Sequence, residues 1–233
     1  MSDNILGFMA PRADLKPELF DTAIKQKGYR VIWEQGMFCS CYRALDGQPD
    51  FNCPACGGKG YVYFDPKETR VVVTSISGRK EQEHIGLTEL GGAYLTPLST
   101  DNVGFRDRFT FLDFTMKYSE LLTRGSGTTD VPRYDMIDII CVRVRDKVYN
   151  RNIHFTIPKD GSNINWTGNH LPEGTVYSVL YTTQARYIAI NPIHELRGTY
   201  TYYKTQVEKF VQLPKQFQIK REDLVPNVES TPG

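Results

Sequence analysis

The stretch Phe38–Tyr63, FCSCYRALDGQPDFNCPACGGKGYVY, constrains this chain more than any other. It holds Cys39, Cys41, Cys53 and Cys56, spaced as C-x-C, then eleven residues, then C-x-x-C. Two close pairs joined by a short loop are what tetrahedral zinc coordination needs, because each pair reaches one side of the metal. Gly57, Gly58 and Gly60 follow the second pair. They let the backbone turn tightly and aim amides at thiolate sulfur, and Pro54 fixes the start of that turn. Disulfides and free thiols are the alternatives. A disulfide inside C-x-C is strained, and a redox C-x-x-C needs a βαβ context that the flanking sequence lacks. Four thiolates leave no open position, so zinc here is expected to hold the fold and not to catalyse.

At 233 residues the chain is long enough for one large or two modest domains. Its 28 Lys and Arg nearly balance its 27 Asp and Glu, which disfavours a free-standing, non-specific nucleic-acid binder. The 14 Tyr and 12 Phe, with Val, Ile and Thr, favour strands over helices. No N-terminal export signal and no membrane-spanning apolar run is evident. The thiols are therefore expected in a reducing cytoplasm, which favours metal over disulfide. Cys141, in the apolar run Ile137–Val144, reads as a buried small hydrophobe.

Met1–Lys16 reads as an extended arm. Pro17–Lys27 reads as a short helix, with proline and Glu18 in its first turn, Leu19, Phe20, Ala23 and Ile24 on one face, and Gly28 ending it. Tyr29–Glu34, with Val31 and Trp33 on one face, leads into the cysteine module, and Gly60–Phe64 leaves it. These flanks are expected to pair, making the cysteine loop the tip of a hairpin. Further strands are expected at Thr69–Ser77, Gly92–Pro97, Arg108–Lys117, Asp135–Val144, Tyr149–Pro158, Asn163–Trp166, Val176–Thr183, Arg186–Ile190 and Arg197–Tyr203. The polar loop Thr123–Pro132 is expected to be mobile or to order against a neighbour. Gln206–Phe217 fits a short helix or a strand, and Leu224–Gly233 reads as a tail. The fold class expected is mainly β: an antiparallel sandwich or barrel with a short N-terminal helix and an inserted four-Cys zinc knuckle. The divisions are 1–28, arm and helix; 29–68, knuckle lobe; 69–205, β domain; and 206–233, a docking segment and tail.

No phosphate loop, dinucleotide fingerprint or nucleophile elbow is present. His84, His154, His170 and His194 are scattered and read as solvent-facing or hydrogen-bonding residues. Asp107 and Asp113 would lie ~20 Å apart along a strand, too far to act on one bond. Asp135 and Asp138 would face opposite sides of one. Arg143, Arg145 and Lys147 fall at alternate positions and are expected on one strand face, as a solvated stripe or as a contact for DNA phosphates or an acidic partner. Lys215, Lys220 and Arg221 form a second basic segment with the same ambiguity.

Two blocks together carry a resemblance. One is the cysteine module, entered through KGYRVIWEQG and left through CPACGGKGYVY. The other is INWTGNHLPEGTVYSVLYTTQARYIAI with IHELRG after it, marked by Ile164, Trp166, Pro172, Gly174, Tyr177, Val179, Tyr181, Tyr187 and Ile188. The combination resembles structural proteins of tailed bacteriophages, in particular neck or head–tail connector (head-closure) proteins with a cysteine knuckle. Cys53, Cys56, Gly58 and Gly60 also match one unit of the J-domain co-chaperones. Those repeat the unit and carry a J domain, so this match reads as a shared zinc solution.

The resemblance implies a non-enzymatic virion protein. It would form a six-fold or twelve-fold homo-oligomeric ring between the portal or its adaptor and the tail proteins. Packaged DNA would lie in the channel, and Arg143, Arg145 and Lys147 would be candidate channel or partner contacts. Zinc would sit on Cys39, Cys41, Cys53 and Cys56. The protein would reside in the virion neck, and in host cytoplasm during assembly, with no membrane partner. Other virion positions (tail terminator, collar, baseplate) fit the same blocks. An intracellular zinc-ribbon nucleic-acid binder is the rival class, and a phage hydrolase ranks last because no catalytic constellation can be named.

Overall fold

The computed structural model describes residues 17–42, 48–50, 52–75, 91–168, 171–194, 196–202 and 208–225. The arm Met1–Lys16, His84, His170 and the tail beyond Val225 lie outside them. Among the described residues thirteen strands follow one α-helix: α1 (Pro17–Lys27), β1 (Tyr29–Phe38), β2 (Tyr61–Ser75), β3 (Gly92–Pro97), β4 (Arg108–Thr123), β5 (Thr129–Asp130), β6 (Asp138–Val144), β7 (Lys147–Tyr149), β8 (Phe155–Thr156), β9 (Ile164–Trp166), β10 (Val176–His194), β11 (Gly198–Tyr202), β12 (Glu208–Gln212) and β13 (Gln216–Arg221). The chain is mainly β, as its residue types favour, and every pairing between strands is antiparallel.

The main sheet runs β13-β3-β2-β1-β4-β10-β6-β7, and β13 also pairs with β10. That extra pairing closes β1, β2, β3, β13, β10 and β4 into a barrel, which leaves those strands no open edge along it. Each of the six contributes inward side chains: Val31 and Trp33, Val71, Leu95, Phe217 and Ile219, Ala185 and Ala189, Phe109 and Phe111. Period-2 alternation produces this filling, as in β13, where Phe217 and Ile219 are buried between half-exposed neighbours.

β4 and β10 are too long for the barrel alone. They stay paired from Ile188↔Arg108 to Val176↔Thr123, with a register shift between Gln184 and Ala185. Beyond the shift β10 takes β6 on its other side, and β6 takes β7. The small sheet β5-β9-β8 shares the second core with this extension. That core holds Tyr134, Met136, Val142, Tyr149, Phe155, Ile164, Trp166, Tyr177, Val179 and Tyr181. The expected alternatives of barrel and sandwich are thus both present, sharing two strands.

Several expected boundaries move. β1 and β2 do pair, from Tyr29↔Val71 to Phe38↔Tyr61, so the cysteine loop is the tip of a hairpin. The expected division at 68/69 falls inside β2, where the strands expected to begin at Gly60 and at Thr69 are joined as Tyr61–Ser75, with a bulge at Asp65-Pro66; positions 76 and 77 lie outside the described residues. Asp65 has φ 53°, and the bulge accommodates a proline, which cannot donate to a ladder. The expected 206–233 docking segment includes β13, which belongs to the barrel wall. The loop Thr123–Pro132 is tied down, since Thr129–Asp130 pairs with β9.

α1 forms where expected and ends as Gly28 N–H donates to Ile24 O at 2.7 Å. Only Ile24 of its expected apolar face is buried; Leu19, Phe20 and Ala23 are exposed. A polar contact helps to hold the helix, as Asp21 accepts from Ser99 N–H at 2.9 Å and from its hydroxyl. Among the described residues no helix is long and apolar enough to cross a membrane.

Candidate metal centre

The hairpin β1–β2 delivers both cysteine pairs to one point. β1 ends at Phe38, one residue before Cys39, and Cys39 N–H donates to Gly60 O at 2.8 Å, clamping the two limbs. Cys53–Gly60 forms tight turns, with Gly57 N–H donating to Cys53 O at 2.8 Å and Lys59 N–H to Cys56 O at 3.1 Å. Gly57, Gly58 and Gly60 have φ of 58°, 79° and 78°, a region that side-chain-bearing residues rarely adopt. Gly60 N–H lies 3.4 Å from Cys56 Sγ, the amide-to-sulfur contact the glycines were expected to supply.

The four thiols converge. Cys39 and Cys53 sulfurs are 3.7 Å apart, those of Cys41 and Cys56 are 3.5 Å apart, and all four lie within 4.8 Å of one another. A metal with thiolate bonds of ~2.3 Å in a tetrahedron separates its sulfurs by ~3.8 Å. The set therefore fits a tetrahedral metal ion, and all five cysteines are free thiols. Backbone amides of Cys56 and Ala55 hold the Cys53 thiol down to about 7, whereas desolvation pushes Cys41 up to about 12. A bound cation would hold all four as thiolates. The knuckle's own core is Cys39, Cys53 and Cys56, with Cys41 and Val62 against them, which is too little apolar surface to order a lobe unaided.

The expected basic stripe has a different shape. β6 ends at Val144, Arg145 takes φ 49°, and Arg145-Asp146 turns the chain into β7. Val144 faces Lys147 across the hairpin, so Arg143, Arg145 and Lys147 do not share one strand face. Alternation predicts a face only while the strand continues, and here a two-residue turn intervenes. All three side chains are exposed at the hairpin tip, where the Arg143 guanidinium donates to Arg145 O and lies 3.5 Å from Asp146. Cys141 is half-buried on β6, not fully enclosed.

Asp107, Asp113, Asp135 and Asp138 each have partners of their own. Asp113 is exposed and pairs with Arg30 at 2.6 Å. Asp107 is buried just before β4 and accepts from Trp33 Nε1, Gly36 N–H and Gly104 N–H at 2.8, 2.9 and 2.8 Å. Asp135 precedes β6 and pairs with Arg186 at 3.2 Å, while Asp138 pairs with Arg151 at 2.6 Å. His154 accepts from Asn150 N–H at 2.9 Å, a hydrogen-bonding role as expected.

Two features were missed. Asp130, in the loop expected to be mobile or to order against a neighbour, is buried and accepts from Trp166 Nε1 at 2.8 Å, Tyr177 Oη at 2.9 Å and Gly125 N–H at 2.9 Å. At the base of the knuckle, Lys59 donates to buried Glu222 at 2.7 Å. Arg108 lies 3.9 Å from the same carboxylate and is held in a two-point pair with Glu34 at 2.7 and 2.8 Å. Lys59 is held below the usual lysine range by desolvation, with Glu222 opposing that fall. No local pattern marks a pair separated by 163 residues.

A scan of protein-family models finds none that matches this chain, and a search of curated proteins finds no match either.

Proposed function

We propose that this chain is a structural, non-enzymatic virion protein of a tailed-phage neck. It forms a six-fold or twelve-fold ring that joins the portal or its adaptor to the tail and helps retain packaged DNA. Zinc is the metal proposed for Cys39, Cys41, Cys53 and Cys56, because an all-thiolate set without a vacant position suits that ion. The observation that carries the reading is the joining, in one body, of the cysteine knuckle and the Trp166–Tyr181 block. The knuckle rides on β1 and β2 of the barrel, and the block builds the second core. Two lobes that share long strands support the work of a stiff assembly part. Leu19, Met37, Phe38, Leu121 and Val176 are each more than half exposed and offer apolar surface to neighbours. Electron microscopy of the purified protein should show rings, and antibodies should label the head–tail joint of particles. Labelling confined to host cytoplasm rejects the reading, and labelling at the baseplate or collar moves it to another virion position.

A second reading, a zinc-dependent nucleic-acid-binding factor, draws on the exposed cations of Arg143, Arg145 and Lys147 at one hairpin tip. It requires affinity for duplex DNA that falls steeply with salt and a smaller salt slope for the Arg143→Ala, Lys147→Ala variant. No binding at low salt removes it.

A further inference from the structure

The turn that gathers Cys53 and Cys56 also presents Lys59. Its backbone is fixed by the Lys59 N–H to Cys56 O bond at 3.1 Å and by Gly60 N–H at the Cys56 sulfur, 3.4 Å away. From there Lys59 Nζ reaches Glu222 Oε1 at 2.7 Å. Glu222 opens a single 3-10 turn, Glu222–Leu224, directly after β13, the strand that closes the barrel. The Glu222 side chain is 4% exposed and that of Lys59 is 23% exposed. Glu222 Oε2 is buried and has no hydrogen-bond partner among the described residues. The next cation, Arg108, stands at 3.9 Å and is already committed to Glu34. Among the described residues Lys59 is therefore the cation nearest this buried carboxylate and the one hydrogen-bonded to it, with Arg108 behind it and Arg106 and Arg133 lining the same cavity.

We propose that metal binding in the four-thiol knuckle and the seating of the closing segment Gln216–Val225 are linked through Lys59–Glu222. With the metal bound, the turn is rigid and holds Lys59 on the carboxylate. Without it, the turn loses its anchor and Lys59 its fixed position. A buried carboxylate deprived of its partner is strongly unfavourable, and lifting the 3-10 turn into water relieves it. The linkage is reciprocal, so whatever holds Gln216–Val225 in place also tightens metal binding. The knuckle thus acts as a metal-dependent clasp on the barrel seam. This rests on the metal-holding reading of the thiols and is independent of the assembly reading.

The test uses the full chain, Zn(II) affinity by competition with a chromogenic chelator, and amide exchange read by mass spectrometry. Zinc removal should speed exchange across Gln216–Val225. Lys59→Met, with zinc bound, should speed exchange there and weaken zinc affinity at least about fivefold. Glu222→Gln should act in the same direction, the double variant should be no worse than the worse single one, and Lys59→Arg should restore both readouts. If zinc removal unfolds the whole chain, the zinc-loaded Lys59→Met measurement decides. A folded Lys59→Met protein with zinc affinity within about twofold of wild type overturns the linkage, since real couplings between sites are larger. So does unchanged exchange across Gln216–Val225 when zinc removal loosens the knuckle alone. A wild-type chain that takes up no zinc overturns the metal reading as well, whereas the presence or absence of rings leaves this result untouched.

Discussion

Trp33 donates its indole N–H to Asp107 at 2.8 Å inside the barrel. The other tryptophan repeats the arrangement in the second core, where Trp166 donates to Asp130 at the same distance. Each aspartate also accepts from backbone N–H: Asp107 from Gly36 of β1 and from Gly104 in the loop before β4, Asp130 from Gly125. A carboxylate beside each core therefore ties a large aromatic to nearby backbone donors that need an acceptor.

Removing either carboxylate should be costly. Asp107→Ala strands the donors of Trp33, Gly36 and Gly104 and is expected to cost about 2–4 kcal/mol. Urea unfolding of the variant, compared at an unchanged m-value, measures it. A loss under about 0.5 kcal/mol, the range of inert surface changes, would mean that water satisfies these donors instead.

The tryptophans report on different cores, so Trp33→Phe and Trp166→Phe give one probe each. Because β4 and β10 run through both cores, the probes are expected to share one unfolding midpoint. Two separated fluorescence transitions would show that the lobes melt independently.

Chelation or Cys53→Ser should loosen residues 39–60 first. Structural thiolate sites contribute ~10 kcal/mol or more of folding free energy, and this lobe has almost no apolar core of its own. Amide exchange should rise across the knuckle while the Val179 and Tyr181 amides of the second core stay protected. Elemental analysis of the pure protein should find about one transition-metal ion per chain, as one four-thiolate set requires.

Gly161 offers a backbone test. It has φ 67°, and a Cβ there would lie 1.9 Å from Met136 O. Gly161→Ala is expected to destabilise by about 2 kcal/mol or more, since both conformation and space oppose it. Gly174→Ala is the control, having φ 77° but nothing within 4 Å of an added Cβ. It should cost about 1–2 kcal/mol from the backbone alone. Thermal melts of the two variants decide the order.

Local chemistry was readable where one element obeys one period. α1 begins at its proline and stops before Gly28, and β3 falls where expected. The thiol cluster was legible because its ligands sit in two short motifs. Legibility failed where long-range closure decides. Gly60–Phe64 and the stretch from Thr69 read as two strands, but Pro66 between them lies in a bulge of one strand paired with β1. The register shift near Gln184 made one strand look like two. Phe217 and Ile219 alternate as wall residues do, yet with Lys215, Lys220 and Arg221 beside them this stretch reads as a basic docking segment. Asp107, Asp130 and Glu222 carry no motif, and their importance comes from what the fold packs around them.

β4 and β10 pass from the knuckle-bearing barrel into the smaller lobe as two paired strands, with a register shift between Gln184 and Ala185 but no linker between the lobes. Swivelling one against the other would have to tear a ladder rather than bend a linker. The angle between the two lobes is therefore set by the fold itself.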